Sequence, residues 1–204
     1  MPKIKQSPKM PPEKRRRQLL NAALRLFLKK GYRVTTTEEI ARKASLTKGA
    51  LYHHFKNKED ILYELVKNLS EKMSETFVGR VKKNMTPIDF LRLILHHHHG
   101  VDEPAIKDML DIYSQSFRIA RIRKYISRQM EKGLKLFSEN VDPAYTINKK
   151  MLQQLGVFIF ALHDGLSVMR MFAPSLVDEE QQIKFIETCF NFDILTAKKA
   201  KGTK

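Results

Sequence analysis

Hydrophobic residues recur every three or four positions along most of the chain, a spacing that predicts helices. The first helix should run from about Pro12 to Lys30 and stop at Gly31. Its apolar face is made of Leu19, Leu20, Ala23, Leu26 and Phe27. Further helical stretches cover roughly residues 58–80, 87–99, 103–118, 120–139, 147–172 and 178–197. Because prolines and glycines separate these stretches and none resembles a strand, the sequence predicts an all-α fold.

A short helix is predicted between the first two long stretches. Thr36 is followed three residues later by Glu39, the spacing of a capping box. In this box the threonine hydroxyl accepts a bond from the backbone N–H of Glu39, and the carboxylate accepts from the backbone N–H of Thr36. The helix should therefore run from about Thr37 to Ala44.

A second short helix follows after a tight turn at Ser45 and Leu46. Thr47 caps it, and it should extend from Lys48 to about Phe55. Two short helices joined by such a turn predict a helix-turn-helix, whose second helix lies in the major groove of DNA.

Charge is concentrated at the N-terminal end of the chain, whose total net charge is +16. Residues 1–58 contain 16 Lys and Arg and three acidic residues, a net charge of +13. Residues 59–197 contain 18 basic and 19 acidic residues, and four lysines follow them. A basic unit attached to a near-neutral body fits a polyanionic partner, because each cation that neutralises a phosphate releases counterions. Lysines that only confer solubility would be spread evenly.

Composition excludes several other classes of protein. The N-terminal residues lack the hydrophobic stretch of a signal peptide, and no window approaches the roughly 20 apolar residues of a membrane span, so we expect a cytoplasmic protein. The single cysteine, Cys189, cannot form an intrachain disulfide and is expected to be a small buried residue. The sequence has no nucleotide-binding, hydrolase or metalloprotease motif, and Glu103, Asp108 and Asp111 fit solvating charges, so neither an enzyme nor a cofactor is expected.

The segment Thr36 to Leu62, T-T-E-E-I-A-R-K-A-S-L-T-K-G-A-L-Y-H-H-F-K-N-K-E-D-I-L, resembles the signature of TetR-family regulators. The resemblance extends over residues 13–62 and thins after about residue 66. It implies an N-terminal three-helix DNA-binding domain and a C-terminal helical domain for ligand binding and dimerisation. One position departs from the family, which usually has glycine where this chain has Ser45. A left-handed serine there costs on the order of 1 kcal/mol.

The resemblance and the positions of residues on the helices together predict which residues bind DNA. Small side chains at the start of the second short helix allow close approach to base edges, whereas polar and cationic ones reach bases or phosphates. The predicted DNA-binding residues are Thr36, Thr47, Lys48, Gly49, Ala50, Tyr52, His53 and Lys58.

Dimerisation is predicted from the last two helical stretches. Residues 160–166, F-A-L-H-D-G-L, are similar to the family's penultimate helix, which pairs with its twofold mate. Three small residues, Gly156, Ala161 and Gly165, would permit close helix approach. A stripe on the last helix would complete a four-helix interface, made of Ile183, Ile186, Phe190 and Leu195. The alternative is that these faces pack within one chain.

The middle helices carry aromatic residues and methionines at helical spacing, which is typical of a core. The family resemblance adds the possibility of a cavity for a mostly apolar effector, oriented by a few polar groups. The predicted ligand-binding residues are Phe90, His97, Tyr113, Phe117, Phe158, Leu162 and His163.

Four consecutive histidines, His96 to His99, leave three alternatives open: a metal site, a pocket role, or solvation of a helix end. Successive helical side chains point about 100° apart, so all four cannot reach one metal ion. His96 and His99 could share a face, with His163 and Asp164 from another helix, although zinc usually has three or four such ligands. We expect no bound metal.

These observations favour a domain order of a basic arm (residues 1–11), a helix-turn-helix domain (12–58), a helical ligand-binding and dimerisation domain (59–197) and a basic tail (198–204). The favoured function is a repressor that binds a palindromic double-stranded DNA operator as a homodimer and is released by a small-molecule effector. The alternative is a DNA-binding protein that is constitutive or controlled by a protein partner, without a small ligand.

Overall fold

The computed structural model describes residues 11–96, 114–115, 117–145 and 148–189. Among the described residues, the helices with defined bounds are eight α-helices and a 3-10 turn at Pro174–Leu176. The helices are α1 Pro12–Lys30, α2 Thr37–Lys43, α3 Lys48–His54, α4 Lys58–Val78, α5 Pro87–Leu95, α6 Ala120–Asn140, α7 Lys149–Phe172 and α8 Glu179–Cys189. The prediction of an all-α fold is confirmed, since the described ranges are mainly helical and contain no strand, and Met85 and Val141 form an isolated β-bridge.

The chain divides into two compact units, and the first consists of residues 11–69, 114–115 and 117–124 of the described chain. Its core combines the apolar faces of the first four helices. The fully or nearly fully buried side chains are Leu19, Ala23, Phe27, Ile40, Leu51, Phe55, Ile61 and Leu62. The division falls inside α4 because its buried residues end at Val66.

Ser45 joins α2 to α3 with a positive φ of 53°. Ser45 therefore has left-handed backbone, at the position where the resembling family usually has glycine. The backbone N–H of Leu46 donates to the carbonyl of Ala41 at 2.9 Å, so the turn is closed by hydrogen bonding despite the serine. The direction of α3 is thereby fixed.

The start of α6 belongs to the first unit through Arg121. Its guanidinium donates to Asp60 Oδ1 at 2.5 Å and lies 3.8 Å from the centre of the Tyr63 ring. The other carboxylate oxygen of Asp60 accepts a bond of 3.1 Å from the backbone N–H of Lys56. Arg121 therefore contacts the same carboxylate that closes the connection between α3 and α4.

The second unit contains the described residues 70–96, 125–145 and 148–189. Helix α5 packs against α7 and α8, and the rings of Phe90 and Phe137 meet edge to face with centroids 4.9 Å apart. The buried cluster consists of Phe90, Leu91, Ile94, Leu95, Phe137, Ile159, Ile183 and Ile186. The N-terminus of α5 is held by a second capping box, formed by Thr86 and Asp89.

Helix α7 has apolar residues on its exposed side as well as on its core side. Among the described residues, its segment Lys149–Arg170 is long and apolar enough to cross a bilayer, judged by length and composition alone. The sequence-based expectation that no stretch approaches such a span is therefore corrected in this respect. One such helix is weak evidence for a membrane protein, because a helix that is apolar on two faces can also pack against two protein surfaces.

Candidate nucleic-acid interface

Helix α3 buries Leu51 completely and turns the rest of its first two turns toward solvent. Thr47 caps the helix, its Oγ1 accepting a bond of 3.1 Å from the backbone N–H of Ala50. The exposed residues are Thr47, Lys48, Gly49, Tyr52 and His53, and Ala50 is half-buried. The predicted base-reading residues therefore share one accessible surface.

Gly49 lies on this surface with open space above it. A Cβ built there would meet only Thr47 Oγ1, at 3.9 Å. Its φ is not in the left-handed region, so the free protein does not require glycine at this position. A close external surface, such as the floor of the major groove, would require it.

Side chains of α2 hold those of α3 in place. The Lys48 ammonium forms an ion pair with Glu38 and lies 5.8 Å from the centre of the Tyr52 ring. The Tyr52 hydroxyl is 3.1 Å from the Thr37 hydroxyl. The hydrogen bond from Lys48 lowers the pKa of Glu38, and the same contact raises the pKa of Lys48. Lys48 is thus charged and oriented, but already has an anionic partner.

Thr36 forms the predicted capping box at the start of α2. Its backbone N–H donates to Glu39 Oε2 at 2.9 Å, and its hydroxyl oxygen accepts from the Glu39 N–H at 3.2 Å. The carboxylate also pairs with Lys30 at 2.5 Å. The hydrogen bonds from Lys30 and from the Thr36 backbone lower the pKa of Glu39 to about 2. Thr36 is exposed, so the predicted phosphate contact would use a hydroxyl already fixed by Glu39.

Lys58 occupies a different environment from the one the sequence suggested. Its ammonium donates to the carbonyl oxygens of Tyr32, Arg33 and Thr35 at 2.9, 3.0 and 2.8 Å. Burial lowers the pKa of Lys58, with a smaller contribution from Lys30. An ammonium has three donors, and all three are engaged within the head of the chain (residues 1–58). The phosphate contact of Lys58 stays a prediction for the DNA complex, whereas in the free protein the residue ties α4 to the connection between α1 and α2.

A basic groove of about 400 Å³ runs along α1 beside the C-terminal end of α2. Its floor is fixed where the Gln18 amide donates to the carbonyl of Ala44 at 2.7 Å. The groove is lined by Lys14, Arg17, Gln18, Asn21, Ala22, Arg25, Lys43 and Ala44. The charge count of residues 1–58 could not place Lys43 beside the basic residues of α1, because that proximity depends on the packing of α2.

The predicted ligand-binding residues are only partly brought together by the described structure. Phe117 belongs to the first unit and is 73% exposed, whereas Phe90 is fully buried in the core of the second. Phe158, Leu162 and His163 follow one another along α7. His97 and Tyr113 lie outside the described residues.

Leu162 and His163 are neighbouring, partly buried members of this set on α7. Leu162 packs against the buried cluster of the second unit. His163 Nδ1 is 2.9 Å from Asp164 Oδ1, and the imidazole side chain is largely covered. Of the four consecutive histidines only His96 is described, 3.3 Å from Glu180, and the described residues contain no group of three potential metal ligands.

The predicted interface stripe on α8 is wrong for Ile183 and Ile186, because both are buried in the core of their own chain. The small residue Gly156 also faces inward, where an added Cβ would lie 2.9 Å from Leu134 and 3.0 Å from Phe137. Phe190 and Leu195 lie outside the described residues.

A different apolar surface is exposed on α7 and α8. Gly165 lies within it, and an added Cβ would meet nothing within 4 Å. Helical geometry of about 100° per residue places the exposed apolar residues of α7 in one stripe around Gly165. The exposed large apolar side chains are Met151, Val157, Phe158, Val168, Met169, Phe172 and Phe185.

A family model described as bacterial regulatory proteins of the tetR family matches residues 19–65. The HTH-type transcriptional regulator YvkB of Bacillus subtilis strain 168 is 31% identical over 168 residues, which are 76% of this chain and 87% of YvkB. The repressor KstR2 of Mycobacterium tuberculosis strain H37Rv is 32% identical over 93 residues. That match covers 42% of this chain and 46% of KstR2. The regulator HbdR of Aromatoleum sp. strain CIB is 34% identical over 79 residues, so the chain spans about a third (34%) of its length.

Two solved structures have the same fold. A protein described as a transcriptional regulator from Pseudomonas aeruginosa PAO1 superposes with a TM-score of 0.74 at 16% identity, over 93% of this chain and 94% of that one. The multidrug-binding protein EbrR, in complex with imidazole, superposes with a TM-score of 0.65 at 16% identity, over 91% and 96%. At these identities the structures bear on the fold alone.

Proposed function

Because the chain belongs to the TetR family of bacterial regulatory proteins, we propose that it is a cytoplasmic repressor that binds a palindromic operator as a homodimer and is released by a small, mostly apolar ligand. That it is a transcriptional regulator with a helix-turn-helix head follows from the family itself. The relative KstR2 is a transcriptional repressor by name, which supports repression as the activity. The relatives are regulators rather than enzymes.

The observation that carries DNA binding is the exposed surface of α3. It combines a cation, Lys48, with two small residues, Gly49 and Ala50, at a helix start whose free N–H groups favour negative charge. The head around it is basic, with 16 Lys and Arg against three acidic residues in residues 1–58. A rigid support holds the surface in place, since Leu51 anchors α3 in the core.

A homodimer is supported by the exposed apolar stripe on α7 and by Phe185 on α8. Exposed apolar patches of this kind mark interaction sites in proteins that are otherwise polar at the surface. A second copy of this chain fits the stripe because a helix-turn-helix normally reads two half-sites and needs a twofold partner. Gly165 in the middle of the stripe would let two helices approach closely.

The experiment selects a palindromic DNA site in vitro and compares dimerisation and binding for Gly165→Arg and the control Gln153→Arg. The arginine at position 165 has open space in a single chain, so it should leave the fold intact while burying an unpaired charge between two protomers. Gln153 is exposed on the same helix, about 120° around it from Gly165.

We expect sedimentation to show a monomer for Gly165→Arg and a dimer for Gln153→Arg, with operator affinity lost in the first variant alone. Monomeric wild-type protein, or a Gly165→Arg dimer with full operator affinity, would refute the proposed assembly. Failure of the wild type to select any palindrome would refute the repressor itself.

The ligand is supported by EbrR, whose solved complex contains imidazole, and by the neighbouring residues Leu162 and His163, which are partly buried on α7. A second candidate, regulation without a small ligand, is favoured by Phe90, a predicted ligand-binding residue that is fully buried in the core of the second unit. A protein-controlled or constitutive regulator would not need this side chain to reach a ligand. The two candidates differ in whether small apolar molecules stabilise the protein.

A further inference from the structure

The cations of the head differ in whether an acidic side chain neutralises them. Arg16 pairs with Glu64 at 2.6 Å, Lys30 pairs with Glu39, and Lys48 pairs with Glu38. Lys58 is held by three carbonyl oxygens. The cations that sequence reasoning would assign to phosphate are therefore engaged within the protein.

The basic groove contains the opposite kind of cation. Lys14, Arg17, Arg25 and Lys43 are all exposed, and none of them forms an ion pair with any part of the chain that the structure describes. No acidic residue lines the groove. Four like charges beside one another without a counter-charge produce a positive potential that attracts a polyanion.

The groove is also built with a fixed shape. Gln18 and Asn21 add amide groups between the cations, and the hydrogen bond from Gln18 to the Ala44 carbonyl holds α1 against the end of α2. Buried Ala22 and Ala44 form an apolar floor beneath them. Spaced cations with neutral donors between them suit successive phosphates, which accept bonds from both types of side chain.

The groove lies close to the start of the recognition helix along the chain. Ala44, on its floor, precedes Lys48 by four residues, so their Cα atoms are at most about 15 Å apart. This reach is comparable with the major groove of DNA, which is about 12 Å wide. When α3 enters the major groove, the phosphate backbone at its border is therefore within reach of the basic groove.

We propose that the groove formed by Lys14, Arg17, Arg25 and Lys43 is a phosphate-binding site for the DNA backbone beside each half-site, and that it supplies most of the salt dependence of binding. The site rests on the proposed DNA-binding function and assigns its electrostatic part to α1 and the end of α2. Helix α3 then contributes base reading, with its own cation already paired to Glu38.

The test measures affinity against salt concentration for a labelled random-sequence duplex about three helical turns long. Variants are Arg17→Gln/Lys43→Gln in the groove and Lys132→Gln/Lys149→Gln as a control with the same charge change at exposed positions of the second unit. Log affinity falls by about 0.9 per phosphate contact per decade of salt. For a dimer that loses two contacts per protomer, the slope of log affinity against log salt concentration should therefore become shallower by up to about 3.6.

We expect the groove variant to lose most of this amount and the control to keep the wild-type slope, with thermal unfolding and dimerisation unchanged in both. A steep wild-type slope that is unaltered in the groove variant would overturn the assignment while leaving DNA binding intact. A wild-type slope near zero would overturn both the assignment and the proposed function.

Calorimetric titration with sodium triphosphate, in the absence of DNA, distinguishes a backbone site from a site for a free phosphate compound. We expect no saturable binding. Saturable binding that disappears in Arg17→Gln/Lys43→Gln, together with an unaltered DNA slope, would assign the groove to a soluble ligand and overturn its role on DNA.

Discussion

The ammonium of Lys58 donates a hydrogen bond of 2.9 Å to the carbonyl oxygen of Tyr32, a residue 26 positions earlier in the chain. It also lies 4.5 Å from the centre of the Tyr32 ring. Because two more carbonyls from Arg33 and Thr35 complete the set, one side chain binds the whole connection between α1 and α2 to the start of α4. This contact adds to the ion pair of Arg16 with Glu64, which also joins α1 to α4.

Replacing Lys58 with Met should therefore reduce the stability of the head. Hydrogen bonds that involve a charged group contribute about 1.5–3 kcal/mol each when fully formed, and partial exposure reduces this, so we expect a loss of about 1–3 kcal/mol. Thermal or denaturant unfolding measures it. The matched control is Lys56→Met, which removes an exposed lysine two residues away and should cost little.

The DNA salt slope of folded Lys58→Met distinguishes the structural role from the phosphate contact suggested by the resemblance. A structural role leaves the slope unchanged. Normal stability combined with a slope reduced by about one per lysine would assign Lys58 to phosphate instead.

The local features of the head were predictable because they depend on residues close together in sequence. The Thr36–Glu39 capping box needs residues three positions apart, and α1 ends at Gly31 as predicted. The turn at Ser45 and Leu46 was also predicted, whereas the positive φ of Ser45 is a finding of the structure.

Contacts between distant segments were not predictable from one sequence. Ile183 and Ile186 have the same spacing whether they face a partner or their own core, and only the packing of α8 on α5 decides between these. Lys58 reads equally well as a phosphate ligand until its carbonyl partners are known. Glycine is needed at position 156 because a Cβ there would collide with Leu134 and Phe137, which lie on another helix.

Glu39 should make the stability of α2 depend on pH in the acidic range. Its pKa is lowered from 4.5 to about 2 in the folded protein, by the hydrogen bonds from Lys30 and the Thr36 backbone. The stabilisation is fully present above the unfolded value and is lost as the pH falls from about 4.5 through about 2. Glu39→Gln should be less stable at neutral pH and should lose this part of the pH dependence.

Equilibrium unfolding at several pH values tests this, with Glu75→Gln on the exposed end of α4 as the control. The control should keep the acid-induced loss of stability. An unchanged pH profile in Glu39→Gln would show that the capping box does not limit the stability of the head.

Gly49→Glu should abolish specific DNA binding without unfolding the protein. The free structure has room for a side chain there, but a glutamate would bring bulk and negative charge to the floor of the groove. We expect affinity for a selected operator to fall by about 1,000-fold or more, to the non-specific level.

Gly49→Ala separates size from charge at the same position. Alanine favours a helix over glycine by up to about 1 kcal/mol, so this variant should be at least as stable as the wild type. Its operator affinity should lie between those of the wild type and Gly49→Glu. Wild-type affinity in Gly49→Glu would mean that α3 does not read the bases.

Release by a ligand requires that the ligand bind the DNA-incompetent conformation more tightly, because only a difference in affinity moves the equilibrium. Leu162 is suited to a test of this mechanism. It is half-buried, packs against the core of the second unit and precedes His163 on α7. A larger side chain at this position would change the surroundings of His163 and leave the residues of α3 unchanged.

Leu162→Trp should therefore blunt the response to a ligand and leave operator binding in its absence nearly unchanged. The probes are imidazole, which is bound in the EbrR structure, and dodecanoic acid as a mostly apolar compound. A probe present at 100 times its dissociation constant stabilises the wild type by about 2.7 kcal/mol, which a thermal-shift assay detects. Operator titrations with and without the stabilising probe then measure release in both proteins. If the wild type shows neither stabilisation nor release, regulation without a small ligand takes the place of the sensor, since a molecule that does not bind cannot shift the population.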